Sequence, residues 1–505
     1  MNRSKETEEV SKKFEGTSAE KYEFLREFSS KYGYNGKIDS IRENEYPQLK
    51  GAVYLDHSGA TTYAKSILTS FHNDLTRNLF GNPHSHNPSS MLTSHRVEQV
   101  RLRVLKHFDA SPEDYQVIFT QNATAAIKVV AQCNFSGQRF PLSWANQVKR
   151  KLNTKNSKYL VLLDAAAYLT SSTLSLADKD KSPDFVAMSF YKIFGFPTGL
   201  GALLVKTELE PMLKKRYFGG GTITAVAYDR QWQKFRSDLS ERYEDGTINF
   251  LDIISLHHAF TVTERIYTSF QYIKPHVTTL ITYLDRRMRA FRHWNGMPVC
   301  VVHADHDYSD NVKQGPVYNF NVRKVDGNWV PYGEIENLAS ANGIHLRSGG
   351  LCNPGCVARW INLSAEEVIR NYQHGKICGD DQYIFNNKIT GAVRISLGAM
   401  TTIDDIFKWL HFFETYYVES VAPESATEKA VQFYSQGAYN SSQTNLQIKT
   451  STKKKRMSIS SPNLILQLQE DMKKTRPPHQ KEKLLGERRR VIKALLSVKG
   501  FDTHD

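Results

Sequence analysis

The chain has 505 residues, of which 40% are hydrophobic and 11% aromatic, so it can bury a large core that we expect to divide into two or more domains. No uncharged apolar run approaches about 20 residues and the N-terminal residues lack the apolar stretch of a secretory signal, so we expect a cytoplasmic protein without a membrane partner. The five cysteines are sparse and odd in number, which favours free thiols in a reducing compartment.

The formal net charge of +14 would suggest a nucleic-acid partner if it were spread over the chain, but most of it lies near the C-terminus. Residues 430–505 contain 15 Lys and Arg against 6 Asp and Glu, with basic runs at 453–456 and 488–490. Such runs could bind RNA, anionic lipid or an import receptor, but a solvated extension is the commoner explanation. We therefore expect a basic, largely disordered tail over residues 421–505 and no nucleic-acid partner.

Short apolar stretches alternate with amphipathic ones from Gly51 to about Leu204, a pattern typical of an α/β fold with a mostly parallel sheet and helices on both faces. The first 48 residues are expected to form a helical extension, and residues 49–252 a large domain built on this sheet. Strands are predicted at residues 52–55, 116–120, 158–164, 185–189 and 201–205. Helices are predicted at residues 92–108 and 123–132.

A second region begins with a predicted helix at residues 253–270, followed by predicted strands at 317–322 and 392–397. This order of elements favours a smaller α+β domain over residues 253–420. In the tail, where Ser, Gln, Asn and Lys become frequent, one amphipathic helix is predicted at residues 481–498. The sequence contains no internal repeat.

Lys192 follows a predicted strand and lies 28 positions after Asp164, which closes an apolar stretch of its own. A pyridoxal phosphate enzyme needs a lysine at the end of one strand to hold the cofactor aldehyde, and a carboxylate on a nearby strand to keep the pyridine nitrogen protonated. Asp164 and Lys192 fit these two roles, and the turn at 196–199 would fix the backbone of the lysine. Taken alone, such an Asp is more commonly a helix cap and such a Lys a solvated residue.

Two kinds of turn could bind a phosphate. The turn at 120–124 lies between a strand and a helix, so its amides and the side chains of Asn122 and Thr124 could face an anion at a helix N-terminus. Ordinary N-capping explains the same residues. The segments 218–222 and 245–247 offer further amide and hydroxyl donors, with plain turns as the alternative.

The loop 346–356 is a second candidate site, because its glycines and proline would place Cys352 on a mobile, exposed segment. The thiol can become a nucleophile if nearby cations lower its pKa, and Arg347 and His345 are candidates for that role. A zinc site is poorly supported, since structural sites usually use four short-spaced ligands and only Cys352 and Cys356 lie close together. Plain buried thiols remain an alternative for Cys133, Cys300, Cys356 and Cys378.

Five segments resemble motifs of the molybdenum cofactor sulfurases, a family in the cysteine-desulfurase branch of the class V aminotransferases. The segments are residues 54–61 (YLDHSGAT), 81–85 (GNPHS), 189–205, 243–252 (YEDGTINFLD) and 347–355 (RSGGLCNPG). The resemblance extends from residue 51 to about residue 417. It implies the fold of the fold-type I pyridoxal phosphate-dependent transferases.

The resemblance also implies a role for each residue that matches a motif. Lys192 would bind pyridoxal 5'-phosphate covalently, Asp164 would pair with its ring nitrogen, and Cys352 would accept sulfur. Arg394 would bind the substrate carboxylate. The other cofactor-binding residues would be Ala123, Thr124 and Ser189 in the same subunit, together with Thr247, which would reach across a homodimer to the cofactor of the other subunit.

The reaction implied by the resemblance is a sulfur transfer. L-Cysteine would be the donor, and the Cys352 thiolate would attack its sulfur to leave alanine and a persulfide. The molybdenum cofactor would then receive the persulfide sulfur, which activates xanthine dehydrogenase and aldehyde oxidase. No metal ligands are implied.

The sequence departs from the family pattern after Gln132. Family members carry a long segment there, including a histidine that stacks on the cofactor ring. Here only about 25 residues separate the helix predicted at 123–132 from the predicted strand that ends at Asp164. Since a βαβ crossover with its flanking strand needs at least about 30 residues, we expect at least one such unit of the sheet to be absent. The nearby histidines are not expected to replace the missing one; they are His57, His84 and His86.

Family members also continue into a β-rich domain that binds the molybdenum cofactor, and relatives often carry a polar residue at Ala167 and a cysteine at Gly350. Two hypotheses follow. One is an active sulfurtransferase, favoured by the presence of Lys192, Cys352 and Arg394. The other is a catalytically silent isoform that keeps the dimer surface and binds partners, favoured by the shortened sheet.

Overall fold

The structure, a computed structural model, describes residues 18–120, 129–153, 159–377 and 379–421. The described residues belong to one compact unit within Met1–Pro423. The helix predicted at 481–498 lies outside the described residues. Among the helices of the described ranges, none has the length and apolar character needed to cross a bilayer.

Two helices of the described ranges lie close to their predicted bounds. The helix predicted at 92–108 is confirmed as α5 and the one at 253–270 as α9. In chain order the α-helices are α1 Ala19–Phe28, α2 Gly33–Gly36, α3 Ile38–Glu45, α4 Lys65–Arg77, α5 Pro88–His107, α6 Trp144–Leu152, α7 Tyr191–Phe194, α8 Leu239–Tyr243, α9 Phe250–Tyr267, α10 Ile273–Ala290, α11 Tyr332–Ala341, α12 Pro354–Ile361, α13 Ala365–Gln373 and α14 Ile403–Tyr417. Short 3-10 turns lie at Pro47–Leu49, Tyr168–Thr170, Thr207–Met212 and Phe270–Tyr272.

The strands are short, and the predicted ones are confirmed within a few residues. In chain order they are β1 Val53–Tyr54, β2 Tyr115–Thr120, β3 Val129–Val130, β4 Leu162–Asp164, β5 Phe185–Ser189, β6 Gly201–Lys206, β7 Ile223–Ala227, β8 Trp232–Phe235, β9 Cys300–Val302, β10 Val317–Val322, β11 Ile344–His345, β12 Arg347–Gly349, β13 Ile384–Phe385, β14 Lys388–Ile389 and β15 Ala392–Ser396. The pairs β7–β8 and β13–β14 are separate two-stranded ribbons.

The larger sheet has the strand order β2-β6-β5-β4-β3. The β5–β4 and β4–β3 pairs are parallel, whereas β6 is antiparallel to both β5 and β2. The strands other than β6 therefore run in one direction, which confirms the α/β class and the mostly parallel sheet. β4 and β5 pair with Asp164 opposite Ala187, so both strands end at the same edge.

The helix predicted at residues 123–132 is wrong over its described part, because Val129–Val130 form strand β3. Residues 121–128 lie outside the described part of the chain. β3 pairs in parallel with Leu163 and Asp164 of β4. Two adjacent valines fit the extended backbone of an edge strand, and this pairing overrides the helical spacing seen in the sequence.

The smaller sheet has the order β12-β15-β10-β9, with each adjacent pair antiparallel. This confirms the α+β character of the second region. β1, expected in the larger sheet, pairs instead in parallel with β11, with Val53 opposite Ile344. One continuous hydrophobic cluster includes Val186, Phe260 and Trp409, so apolar packing crosses the domain boundary predicted near residue 252. The division into two domains at that residue stays a prediction.

His276 of α10 links the N-terminal helices to the residues just before α14 through two hydrogen bonds. Its Nδ1 accepts the Gly33 N–H (3.1 Å), and its Nε2 donates to the Thr401 carbonyl (3.0 Å). The ring stacks on Tyr32, with 5.1 Å between centroids. Burial lowers the pKa of His276 to about 3, so the imidazole is neutral in the folded protein.

We expect the stability of the fold to fall as pH falls below about 6.5, because unfolded histidine binds a proton there and folded His276 does not. Burial likewise lowers the pKa of His57 to about 3 and of His107 to about 4. A His276→Gln protein should be less stable at neutral pH but should lose less stability on acidification, by up to about 1.4 kcal/mol per pH unit.

Urea unfolding of both proteins at several pH values between 7.5 and 4.5 measures this difference. Exposed His72 supplies the control, and His72→Gln should match the unsubstituted chain at each pH. Equal pH slopes for the His276→Gln protein and the unsubstituted chain would contradict the assignment.

Candidate active site

One edge of the larger sheet gathers three of the predicted site residues. Asp164 ends β4, Ser189 ends the neighbouring parallel strand β5, and Lys192 lies in α7 directly after β5. Ser189 is buried, whereas Asp164 and Lys192 are half-buried. The Oδ1 atom of Asp164 accepts the Ala166 N–H at 3.0 Å. An amine, a carboxylate and a hydroxyl therefore share the carboxyl edge of two adjacent strands.

Gly195 explains how the turn that carries Lys192 packs so tightly. It ends α7 with a left-handed backbone (φ 77°), and an added Cβ atom would lie 2.6 Å from the backbone of Thr62 and Tyr63. A side chain at this position would displace α7 from the segment that follows the motif at 54–61. Gly195 therefore restricts the backbone after Lys192, directly before the turn predicted at 196–199.

The motifs at 81–85 and 243–252 come together in space. The Asn82 side-chain amide donates to the Thr247 hydroxyl (3.4 Å), and His84 Nε2 lies 3.3 Å from the Gly246 carbonyl oxygen. Thr247 itself is exposed. The other predicted phosphate-binding residues, Asn122, Ala123 and Thr124, lie outside the described residues, although β2 ends at Thr120 immediately before them.

Glu244 connects this turn to the end of β2 through a buried ion pair. Arg101 makes two hydrogen bonds to its carboxylate, of 2.8 and 3.0 Å, and the Phe119 N–H donates to the same carboxylate at 2.7 Å. Arg101 also donates to the Val117 carbonyl (2.7 Å). Arg101, on α5, thereby links the end of β2 to the segment 243–252. The sequence pattern did not identify this arginine.

We expect Glu244→Gln to cost about 3–5 kcal/mol of unfolding free energy, because it leaves the Arg101 guanidinium buried without a counter-charge. Glu98 provides a matched control, since it contacts the same guanidinium at 3.0 Å but its side chain is 62% exposed. Glu98→Gln should cost less than about 1 kcal/mol. Chemical denaturation measures both, and equal losses would contradict the structural role assigned to Glu244.

Cys352 lies in the turn between β12 and α12. Leu351 and Cys352 both have left-handed backbones (φ 54° and 53°), and the Asn353 side chain caps α12 by accepting the Cys356 N–H. The Cys352 thiol is exposed, in agreement with the prediction. It borders a cavity of about 790 Å³ that is also lined by Arg347, Tyr372, Lys376 and Tyr383.

Arg394 is almost fully buried, at 2% exposure, and its guanidinium is already engaged. Nη2 lies 2.6 Å from Asp56 Oδ1, and Nη1 donates to the Asn134 carbonyl at 3.1 Å. Burial lowers the pKa of the Arg394 guanidinium, although the negative charge of Asp56 opposes this shift. Its Nε has no hydrogen-bond partner among the described residues. Neither Asp56 nor Asn134 was identified from sequence, since partners distant in the chain leave no local pattern.

The segment after β3, residues 131–140, is here called the junction segment. It packs closely: Phe135 is fully buried, and Arg139 donates to Gln132 Oε1 (2.8 Å) and to the hydroxyls of Ser171 and Ser172 (3.0 and 2.8 Å). Cys133 of this segment lies 3.4 Å, sulfur to sulfur, from Cys356. In the described ranges, no group of three or more His, Cys, Asp or Glu side chains could hold a metal ion.

These residues fit pyridoxal phosphate by the chemistry of the donor set. Lys192 could supply an amine for the aldehyde, Asp164 a carboxylate for the ring nitrogen, and Ser189 a hydroxyl for the phosphate. The Nε of the buried Arg394, which has no hydrogen-bond partner within the described ranges, is a donor suited to a carboxylate. Fold and donor set together define an α/β protein of the fold-type I pyridoxal phosphate-dependent transferase class.

Comparison with known proteins specifies the family. The sequence model of the family "Aminotransferase class-V" matches residues 53–141 and 134–408, which is most of the described chain. The chain belongs to the class V aminotransferases. Two solved structures share the fold: the cysteine desulfurase of Thermococcus onnurineus NA1 (TM-score 0.55, 18% identity, 75% of this chain and 98% of that chain) and the Escherichia coli cysteine desulfurase CsdA (TM-score 0.55, 15% identity, 75% and 97%).

Among curated proteins, the chain is similar to molybdenum cofactor sulfurases. That of Bos taurus is 40% identical over 460 residues, covering 75% of this chain and 52% of the relative. That of Homo sapiens is 39% identical over 459 residues, covering 75% and 52%. The chain thus spans about half the length of the curated relatives it matches.

The alignments also support an internal omission. Since 75% of 505 residues is about 379, roughly 80 of the 460 positions aligned with the bovine protein have no counterpart in this chain. The family match consists of two parts that overlap at residues 134–141. Both observations agree with the segment predicted to be missing after Gln132.

Proposed function

We propose that this chain is a pyridoxal phosphate-dependent sulfurtransferase that takes sulfur from L-cysteine onto Cys352 and passes it to the molybdenum cofactor. The observation that carries the proposal is the placement of Lys192, Asp164 and Ser189 at one sheet edge in a chain that also presents an exposed Cys352. The sulfurase names of the curated relatives support the acceptor.

In this proposal the chain's own residues bind and orient the reactants. Lys192 would hold the cofactor and move protons at the substrate, and Asp164 would keep the ring nitrogen protonated. Ser189 would bind the phosphate together with Ala123 and Thr124, while Thr247 would contact the cofactor of the other subunit in a homodimer. The bound cofactor supplies an electron sink for the carbon skeleton of the amino acid.

Cys352 would carry out the sulfur transfer. Its thiolate attacks the sulfur of L-cysteine, a sulfur–sulfur bond forms, and the carbon–sulfur bond breaks. The electron pair of that bond stays with the carbon skeleton, which gains a proton to become alanine. Cys352 is left as a persulfide, whose outer sulfur is delivered to the acceptor while the thiolate is regenerated.

Arg394 would bind the substrate carboxylate through hydrogen-bond donors that Asp56 does not use. The carboxylate of Asp56 balances one positive charge, whereas the Asn134 carbonyl is neutral and the Nε donor is unpartnered among the described residues. A substrate carboxylate could therefore use Nε, or replace the Asn134 carbonyl at Nη1, and gain a charge-assisted hydrogen bond.

The same contact favours a second candidate function. Because the junction segment holds Nη1 of Arg394, and the sequence predicts that a unit of the sheet is missing next to it, the chain could be a catalytically silent isoform that dimerises and binds partners. An active chain must move Asn134 or use the remaining donor, whereas a silent one need not. Cofactor binding and turnover separate the two functions.

Substitution of Lys192 by Ala should abolish the visible absorption band of the protein with pyridoxal phosphate, because the covalent attachment is lost. Exposed Lys214 offers a control, and Lys214→Ala should keep the band and its shift with L-cysteine. A folded chain without any band would favour the silent isoform. A band that survives in Lys192→Ala would overturn the assignment of this lysine.

Substitution of Cys352 by Ala should leave the absorption band intact and lower alanine formation from L-cysteine by about a hundredfold or more, since the acceptor thiolate is gone. Persulfide content, measured by mass spectrometry, should fall to background. Cys300→Ala is the matched control, because Cys300 lies on β9 away from the turn. Undiminished persulfide formation without Cys352 would transfer the acceptor role to Cys356 or another thiol.

A further inference from the structure

Cys133 and Cys356 form a thiol pair at the point where the junction segment meets the turn of Cys352. Their sulfur atoms are 3.4 Å apart, although 223 positions separate them in the sequence. Cys133 is buried, and Cys356, in the first turn of α12, is half-buried. The sulfurs of a disulfide are about 2.05 Å apart, so an approach of little more than about 1 Å would join them.

The surroundings of Cys133 favour its thiolate. Its sulfur accepts hydrogen bonds from the amides of Phe135 and Ser136 (3.4 and 3.5 Å) and from the Asn353 side chain (3.5 Å). The hydrogen bond from the Cys356 thiol is the largest influence and lowers the pKa of Cys133 to about 5, while the same contact raises the pKa of Cys356. The contact therefore favours a thiolate at Cys133 and a thiol at Cys356, the arrangement of a nucleophilic and a resolving cysteine.

We propose that Cys133 and Cys356 form a reversible disulfide that fastens the junction segment to the Cys352 turn. The oxidant is a low-molecular-weight disulfide of the glutathione class. One thiolate of the pair attacks a sulfur of the small disulfide and expels one small thiolate. The other cysteine loses its proton and attacks the protein sulfur of this mixed disulfide, expelling the second. Two protein thiols lose two electrons and two protons, and the small disulfide becomes two thiols.

The disulfide would reinforce contacts that the next residue already makes. Asn134 donates from its side chain to the Leu351 carbonyl (2.9 Å) and accepts from the Asn353 side chain (2.9 Å). Its carbonyl accepts from Arg394 (3.1 Å). A bond from Cys133 to α12 would hold Asn134 against both the Cys352 turn and Arg394. The consequence for catalysis, a turn that cannot move and an arginine that cannot be released, rests on the proposed function.

Mass spectrometry of the full chain treated with oxidised glutathione tests the disulfide directly. After remaining thiols are alkylated and the chain is digested, we expect one peptide pair joined through Cys133 and Cys356 that dithiothreitol separates. Cys352→Ser should form the same pair. Cys356→Ser should stop at glutathione bound to Cys133. Full alkylation of both cysteines in the treated chain, or a bond from either one to Cys352, would overturn the proposal.

Amide hydrogen exchange tests the restraint on the turn. Exchange across residues 346–356 should slow by about tenfold or more in the oxidised chain, because opening of the turn then requires movement of the junction segment. Dithiothreitol should reverse the effect, and Cys133→Ser should show no difference between the two conditions. Unchanged exchange in a chain whose disulfide has formed would refute the restraint. Neither measurement uses the cofactor or L-cysteine, so each is independent of the proposed sulfur transfer.

Discussion

The arrangement of the site depends on the ion pair between the buried guanidinium of Arg394 and Asp56. A charge with 2% exposure is costly unless it is paired, and Asp56 supplies the opposite charge at 2.6 Å. Asp56 follows β1, Arg394 lies in β15, and Asn134 belongs to the junction segment, so one side chain unites three distant parts of the chain. The backbone supports this union, since the Ser396 N–H donates to the Leu55 carbonyl at 2.7 Å. The Cys352 turn is placed next to Arg394 because β12 pairs with β15, with Arg347 opposite Arg394.

On the other side, the parallel pairing of β4 with β5 decides where the amine and carboxylate lie. Parallel strands end at the same edge of a sheet, so the pairing of β4 with β5 brings Asp164, Ser189 and Lys192 to one edge. This part of the class V aminotransferase fold is retained although about 80 aligned positions of the bovine relative are absent from this chain. The omission expected after Gln132 precedes β4 in the chain, and the strands that end at Asp164 and Ser189 are both present.

The junction segment is itself a closely packed element of the fold. Arg139 is buried among neutral partners, and burial lowers its pKa to about 10. The Gln314 side chain donates to the Ser136 carbonyl at 2.6 Å, and the Gly315 N–H donates to the Gly137 carbonyl at 2.8 Å. These contacts hold the backbone of the junction segment at Ser136 and Gly137. The same segment brings Cys133 to Cys356 and Asn134 to Arg394.

The sequence by itself determined the elements whose signals are local. The apolar runs at 185–189 and 317–322 predict β5 and β10 to the residue, and the polar residues that end two such runs identify Asp164 and Lys192. Tertiary structure alone decided the pairing of β1 with β11, the strand at Val129–Val130 where helical spacing predicts a helix, the Asp56 partner of Arg394 and the contact of Cys133 with Cys356. Each of these depends on residues that are distant in the chain and adjacent only after folding. Periodicity reports which face of an element is buried, but it contains no information on which other element covers that face.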